Sequence, residues 1–283
     1  MTTFDRRLTP ARADLAAEAL RGEVEADRFA TGSPDQISAP FTALRPRPDF
    51  SACPDTELLF GQTVIVFERA NGWAWLQADA DGYVGYAPEG ALHGTQRPAS
   101  THRVATLGSN LYAEPTLKIP TLGQLPFGAE VSVLETRDGY ARIGPQQWLP
   151  AQHLRPVDDS ALDWVGVAEM FVGVPYIWGG RTNWGLDCSG LVQLARQAGG
   201  YACPRDSDMQ FHHAGETLPD DADLRRGDLI FWPGHVGIMT DGGTLLHANG
   251  HHMAVVREPL AKATTRIHAA EGSDVTRRAR FRD

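Results

Sequence analysis

Ten residues of one stretch recur in order, each separated from its counterpart by 67 positions. Leu44, Pro48, Leu58, Phe60, Gly61, Val64, Val66, Glu68, Gly72 and Ala74 return as Leu111, Pro115, Leu125, Phe127, Gly128, Val131, Val133, Glu135, Gly139 and Ala141. Phe67 matches Leu134 and Trp73 matches Tyr140 at the same distance. A constant offset of this size means two copies of one supersecondary unit. In each copy alternating apolar residues (Val64, Val66; Val131, Val133) read as a half-buried strand. An Asn-Gly or Asp-Gly pair then turns the chain, and another strand follows. The copies close on Gly82-Tyr83-Val84-Gly85-Tyr86 and on Gln146-Gln147-Trp148-Leu149-Pro150. Short strands with glycine turns at this pitch predict two small β-barrels, over 41–97 and 98–156. The first copy carries an extra acidic excursion, Asp79-Ala80-Asp81-Gly82, before Tyr83.

A different pattern starts after 157. Asp158 to Val172 reads as a helix, with Leu162, Val165, Val167, Ala168 and Phe171 apolar. Further on stands Gly185-Leu186-Asp187-Cys188-Ser189-Gly190-Leu191-Val192. Gly185 and Gly190 permit unusual angles or close approach, and Asp187 suits an N-cap. Apolar residues at 191, 192, 194, 195 and 198 have helical spacing, and Gly199-Gly200 closes the helix. A thiol at a helix N-terminus meets the positive end of the macrodipole, which favours the attacking thiolate. A lone cysteine is more often buried and inert, so downstream partners decide. Leu229-Ile230-Phe231-Trp232 and His235-Val236-Gly237-Ile238-Met239 are apolar strands, and Thr244-Leu245-Leu246-His247-Ala248-Asn249 follows the Asp241-Gly242-Gly243 turn. Cys188, a first histidine as base and a second to orient it form a nucleophile–base–orienter set. A thiolate–imidazolium pair explains how a thiol with a free pKa of about 8.5 works near neutral pH.

The ordered segments DCSGLV, GDLIFW followed by HVGI, and LLHANG resemble the NlpC/P60 cysteine peptidases of bacterial cell-wall peptides, over roughly residues 160–283. The resemblance implies an α+β, papain-like catalytic domain at 157–283, preceded by the two barrels, which are similar to bacterial SH3 domains. By it Cys188 is the nucleophile, His235 the base and His247 the third polar residue. Tyr176, in Val174-Pro175-Tyr176-Ile177-Trp178-Gly179-Gly180, takes the oxyanion role, and Trp178 matches an aromatic near the cleft. The run Pro204 to Gln210 fits the family's helix-linking loop, a structural part.

Barrels fused to this domain resemble the dipeptidyl-peptidase VI type, which cuts the γ-D-glutamyl bond to meso-diaminopimelate or lysine in murein peptides with a free N-terminal L-Ala. Selecting a free ammonium requires acceptors at a fixed distance from the thiol. Asp187 and Ser189 are the expected acceptors. Tyr83 (or Tyr86, one register on) walls off the far end, and Asp55 or Glu57 is a further carboxylate. Asp187 acting only as a helix cap is the plainer reading. Competing functions are an exported peptidoglycan hydrolase that uses its barrels to hold the wall, a papain-like amidase or acyltransferase, and a binding module with a dead site.

Net charge of −9 and no Lys/Arg cluster argue against nucleic acid or an anionic membrane as partner. The basic tail, Arg277 to Arg282, reads as a short solvated terminal strand. Three cysteines (Cys53, Cys188, Cys203) give no disulfide framework and fit a reducing compartment. The charged N-terminus has no apolar h-region, and no stretch of about 18 apolar residues occurs. The expectation is a cytoplasmic monomer that needs no cofactor or metal. The pairs His212-His213 and His251-His252 diverge at i, i+1 and read as surface residues. Asp228 reads as a cap on backbone donors. Residues 1–40 are expected to be an extension, with a short helix over Pro10–Arg21 and a Ser/Gly/Pro-rich linker at 30–40.

Overall fold

The computed structural model describes residues 4–94, 98–159 and 163–281; Arg97 at the expected barrel boundary, Leu162 and Arg282 lie outside them. The chain forms two compact units, Met1–Val157 and Asp158–Asp283.

In the first unit the repeat is a repeat of hydrogen-bond register. Phe41–Leu44 pairs antiparallel with Thr56–Leu59, placing Leu44 opposite Thr56. At the same offset Gly108–Tyr112 pairs with Thr121–Pro126, placing Leu111 opposite Gly123. Ala70 faces Trp73 across one turn and Arg137 faces Tyr140 across the other. Those turns need positive φ at both central residues, and have it: 53° and 79° at Asn71-Gly72, 52° and 80° at Asp138-Gly139. Core positions coincide too. Ile37, Leu44, Leu58 and Val64 occupy in one barrel the places of Val104, Leu111, Leu125 and Val131 in the other, and all eight are buried. The copies part company at the acidic excursion. The first copy spends residues 79–83 between Trp73–Ala78 and Val84–Pro88, whereas Tyr140–Gly144 turns tightly into Gln147–Pro150.

Two expectations for the N-terminal segment fail. Pro10–Arg21 holds no α-helix. Ala16–Ala17 pairs in parallel with Phe29–Ala30, and a single 3-10 turn covers Glu18–Leu20. Leu15 packs with Trp75 and Val84, so burial against the barrel overrides helical spacing. The supposed linker contains the strand Ser33–Gln36, which pairs with Thr63–Val66 at the edge of the first barrel's sheet. An edge position tolerates Pro34. Asp35 is buried and ion-paired with Arg69, so a polar sequence became a strand because its charge has a partner.

In the second unit α1 (Trp164–Glu169) starts at Asp163, whose Oδ1 accepts from Val165 N at 3.1 Å. It is much shorter than the expected 158–172 helix. A small hairpin, β1 (Arg181–Thr182) and β2 (Gly185–Leu186), leads into α2 (Cys188–Ala198), and α3 (Ser207–His213) follows. The strands are β3 (Glu216–Leu218), β4 (Leu229–Trp232), β5 (His235–Met239), β6 (Thr244–Asn249), β7 (Ala254–Pro259) and β8 (Arg277–Arg280), with α4 (Leu260–Glu271) between the last two. They form one sheet in the order β3-β8-β4-β5-β6-β7. Helix α2 packs on α1 and on β5 and β6. Helix α4 buries Ala263 and Ile267 against Ile230, Trp232, Met239 and Leu245. Burying a side chain such as Ile267 or Leu245 contributes about 1.5–3 kcal/mol. This is the expected α+β arrangement of helices on an antiparallel sheet.

The basic tail is not a solvated terminus. Strand β8 inserts between β3 and β4. Its arginines end on acceptors: Arg280 Nε and Nη2 each donate to an Asp228 oxygen at 2.7 Å, and Arg277 donates to carbonyls of Phe211, Ala214 and Gly215. Asp228 does accept from Arg225 N, as expected, and also anchors the tail.

Candidate active site

Cys188 is the first residue of α2 and is buried. The helix begins there because Asp187, in extended conformation, accepts from Gly190 N at 2.6 Å. Gly190 is required for close approach, not for its φ: a Cβ on it would lie 2.4 Å from Gly180 O. The Val236 N–H, next in the chain to His235, stabilises the thiolate form of Cys188. The structure thus brings the thiol to the strand that opens with His235.

Beneath the helix start lies a saturated carboxylate. Asp187 Oδ1 accepts from Gly190 N and Arg205 Nη1 (2.9 Å), and Oδ2 accepts from Gly179 N (2.9 Å) and Arg205 Nη2 (2.7 Å). Ser189 Oγ lies 3.3 Å from Oδ1 and accepts from Arg205 Nη1 at 2.9 Å. Arg205 is 1% exposed and Asp187 7%. A carboxylate offers about four acceptor sites, and all are used from within the protein. Gln210 Nε2 adds a bond to Ser189 O at 2.9 Å. The Pro204–Gln210 segment is therefore the floor of the site.

On the other flank the two histidines touch. His235 Nε2 lies 2.8 Å from His247 Nδ1, and His247 Nε2 lies 2.8 Å from Glu258 Oε1. Arg266 Nη2 donates to the same Glu258 oxygen at 2.5 Å. Glu258 reaches His247 along a sheet diagonal, because β6 and β7 pair with Leu245 opposite Glu258. Arg266 holds it from α4. An ionised carboxylate only accepts, so His247 Nε2 carries a proton and Nδ1 does not. That Nδ1 accepts from His235 Nε2–H, which leaves His235 Nδ1 as the nitrogen able to take a proton. The last carboxylate of the chain sets the tautomer of the first imidazole.

Burial works against the charged form of the thiol and of both imidazoles. It pushes the Cys188 thiol up to about 12, helped by the Asp187 charge and opposed by Val236 N–H, Arg205 and Ser189 N–H. Burial lowers His235 to about 3, with the His247 and Arg266 charges adding to it. It lowers His247 to about 4, although Glu258 pulls the other way. Burial alone would raise Glu258, but its bonds to Arg266 and His247 outweigh that and hold it below the usual range. Desolvation thus opposes both charges of the thiolate–imidazolium pair expected from sequence. Proton transfer from thiol to imidazole creates two opposite charges together in a medium of low dielectric, where they attract strongly.

Tyr176 is anchored by its N–H to Met253 O, while Leu186 donates to Pro175 O and Ile177 N–H to Leu186 O. Burial, followed by the Cys188 and Asp187 charges, raises its pKa, so its hydroxyl stays a donor. Trp178 is 63% exposed at the same turn, so it is not a core residue. In the first unit Tyr86 Oη accepts from Arg12 Nη1 at 2.8 Å and is committed there. Tyr83 is buried with Arg6 beside it, and Asp55 pairs with Arg6 at 3.0 Å. Cys53 is exposed and Cys203 buried, neither in a disulfide. Sequence reasoning missed Arg205 as a site residue, although it stood in a quoted motif, and missed Glu258 and Arg266 altogether. Their only advance signal is the alternation of β7, which puts Glu258 on the face of Leu245.

Residues 173–270 match the NlpC/P60 family, and residues 44–92 match the bacterial dipeptidyl-peptidase SH3 domain. The chain is 29% identical over 219 residues to a γ-D-glutamyl-L-lysine dipeptidyl-peptidase of Bacillus subtilis, covering 68% of this chain and 71% of that protein. It is 27% identical to dipeptidyl-peptidase 6 of Lysinibacillus sphaericus, over 75% of this chain and 86% of that one. A crystal structure of an NlpC/P60 family protein from Bacillus cereus superposes with TM-score 0.73 at 21% identity, covering 88% of this chain and 99% of that one, and bears on the fold.

Proposed function

We propose that this chain, a peptidase that carries an NlpC/P60 domain and a bacterial dipeptidyl-peptidase SH3 domain, hydrolyses the γ-D-glutamyl bond to a diamino acid, lysine or meso-diaminopimelate, in murein peptides with a free N-terminal L-Ala. The observation that carries the chemistry is the bonded series His235–His247–Glu258–Arg266, which ends in one nitrogen free to accept a proton. The substrate class rests on relatives whose named activities are of this kind and whose matched lengths exceed the catalytic domain.

In this mechanism His235 Nδ1 takes the Cys188 proton as Sγ attacks the γ-carbonyl carbon of the D-glutamyl residue. The negative charge that develops on oxygen meets the Tyr176 hydroxyl and the N-terminus of α2. His235 returns the proton to the leaving amine, the C–N bond breaks and a thioester remains. Water, deprotonated by the same nitrogen, attacks the thioester and releases L-Ala-D-Glu and the thiol. His247, Glu258 and Arg266 touch no substrate atom in these steps; they hold the tautomer.

The free-amine requirement is the finer part of the reading. Asp187 and Ser189 flank the thiol, but Asp187 is filled and neutralised by Arg205. Asp187 then serves mainly by fixing the helix start. The three cysteines, none of them in a disulfide, fit a reducing, cytoplasmic setting in which the enzyme would act on released wall peptides. The test is incubation with L-Ala-γ-D-Glu-diaminopimelate and its lysine counterpart, each with and without an N-acetyl group, with products identified by mass. Cleavage of the free peptides at the γ-bond is expected; release of any other fragment, or equal cleavage of acetylated peptides, rejects the specificity.

A further inference from the structure

The repeat leaves a cavity where its two copies join. At the seam Glu130 N–H donates to Phe60 O at 2.8 Å, and a Cβ on Gly61 would collide with Glu130 O. Phe60, from the first copy, packs on the core of the second. Beside this seam opens a cavity of about 550 Å³, within the range of ligand sites. Its described wall holds one carboxylate, Glu130, and no lysine or arginine. Glu130 is half-buried. Ser100 hydrogen-bonds its carboxylate, and Arg103, opposite it across the strands, adds a Coulombic attraction. Burial outweighs both and raises the carboxyl pKa, so this charge is poorly solvated. The fold does not call for it. At the repeat offset of 67 the first copy has Thr63 in its place. Around Glu130, Ser38, Ser132 and Gln147 offer hydrogen-bonding groups, and Phe60 offers an aromatic surface.

We propose that this cavity binds a small molecule carrying one primary ammonium on an otherwise uncharged, hydrogen-bonding body. The ammonium donates to Glu130 and replaces the solvation that burial took from the carboxylate. The body lies against Phe60 and exchanges hydrogen bonds with Ser38, Ser132 and Gln147. A ligand carboxylate would meet Glu130 with no described cation on the wall to offset it, so a free amino acid fits less well. An amino sugar and the amino end of a short peptide share this chemistry. The site is separate from the peptidase reading, since none of Cys188, His235, His247 and Tyr176 lines it.

The test is calorimetric titration of the full chain at about pH 6.5, where both amines are charged. The probes are D-glucosamine and L-alaninamide, each beside its N-acetyl counterpart, which keeps the body and removes the charge. At least one amine is expected to bind at least about tenfold more tightly than its acetylated form, the scale of a hydrogen bond to a charged group. The tighter of the two amines identifies the source. Glu130→Gln, whose neutrality Thr63 shows the barrel to accept, should erase that preference. Ser38→Phe keeps the charge and fills the cavity from the first copy, so it should abolish binding by itself. Melting temperatures of both variants establish that they are folded. No binding of either amine, equal binding of the acetylated forms, or undiminished binding in either folded variant overturns the site. Peptide cleavage plays no part in the readout, so none of these results touches the peptidase reading.

Discussion

The two flanks of Cys188 use the same pair of residue types for opposite ends. On the helix side Arg205 clamps Asp187, and two backbone N–H groups fill what the arginine leaves. On the histidine side Arg266 holds Glu258 by one bond, and the carboxylate's other partner is an imidazole. The first pair is closed, so it can only hold geometry. The second is open toward a group that exchanges protons, so it transmits charge. An ion pair in a site takes its role from what else its carboxylate accepts, not from its own strength. Cys188→Ala removes the group both flanks serve. Turnover should fall to background while the melting temperature stays within a few degrees. Residual turnover above background would mean another nucleophile.

The closed flank is broken by Arg205→Met, which strands a buried carboxylate. Removing one partner of a buried pair costs about 3–5 kcal/mol, read by urea unfolding. Adding Asp187→Asn removes the stranded charge, so the double variant should be more stable than Arg205→Met alone. A double variant as unstable as the sum of the singles would show that Asp187 and Arg205 act independently.

Breaking the open flank should leave stability nearly alone and cut turnover. In Glu258→Gln the amide oxygen goes to Arg266 and its NH₂ faces His247 Nε2. That reverses both tautomers and puts the proton on His235 Nδ1. We expect kcat to fall about 100-fold, since a misplaced tautomer costs up to about 10⁴ in a related triad. Glu258→Asp, which keeps an acceptor, should recover part of it. Equal losses in Gln and Asp would reduce Glu258 to a packing role.

How much of this could be read in advance follows from where each partner sits in the chain. Cys188, His235 and His247 each stand inside a short motif with its own helix or strand pattern, so residue type and local period sufficed. The barrels were legible because the same registers occur twice. Glu258 was not, since only strand register brings it to His247, and no spacing rule gives that register. Arg205 needed the loop that returns it beneath Asp187. The edge strand at Ser33–Gln36 and the inserted β8 were hidden for a shared reason: their charges are satisfied in three dimensions, Asp35 by Arg69 and Arg280 by Asp228. A charged stretch looks solvated until its partner is located.

The smallest expected effect is a dependence of stability on pH that belongs to the open flank. His235 and His247 titrate at about 3 and about 4 in the folded chain, against 6.5 for a free imidazole. Between 6.5 and about 4 the unfolded chain therefore binds more protons, and stability rises with pH in that window. The contribution is complete above 6.5 and is lost on acidification. Glu258, also lowered from 4.5, adds its own loss only below that value, and Glu130, raised from 4.5 by burial, acts in the opposite sense just above it; the change that His247→Gln makes to the slope is therefore what reports the imidazole. Cys188 acts at the other end: raised from 9.0 to about 12, it makes stability fall as pH climbs past 9. Urea unfolding at pH 7.5, 6.0 and 5.0 should show declining stability in the intact chain and a shallower decline in His247→Gln, which removes one of the two groups. The double variant Arg205→Met/Asp187→Asn, which leaves no stranded carboxylate, should keep the full slope. If instead that double variant flattens the slope and His247→Gln does not, the assignment of roles to the two flanks is reversed.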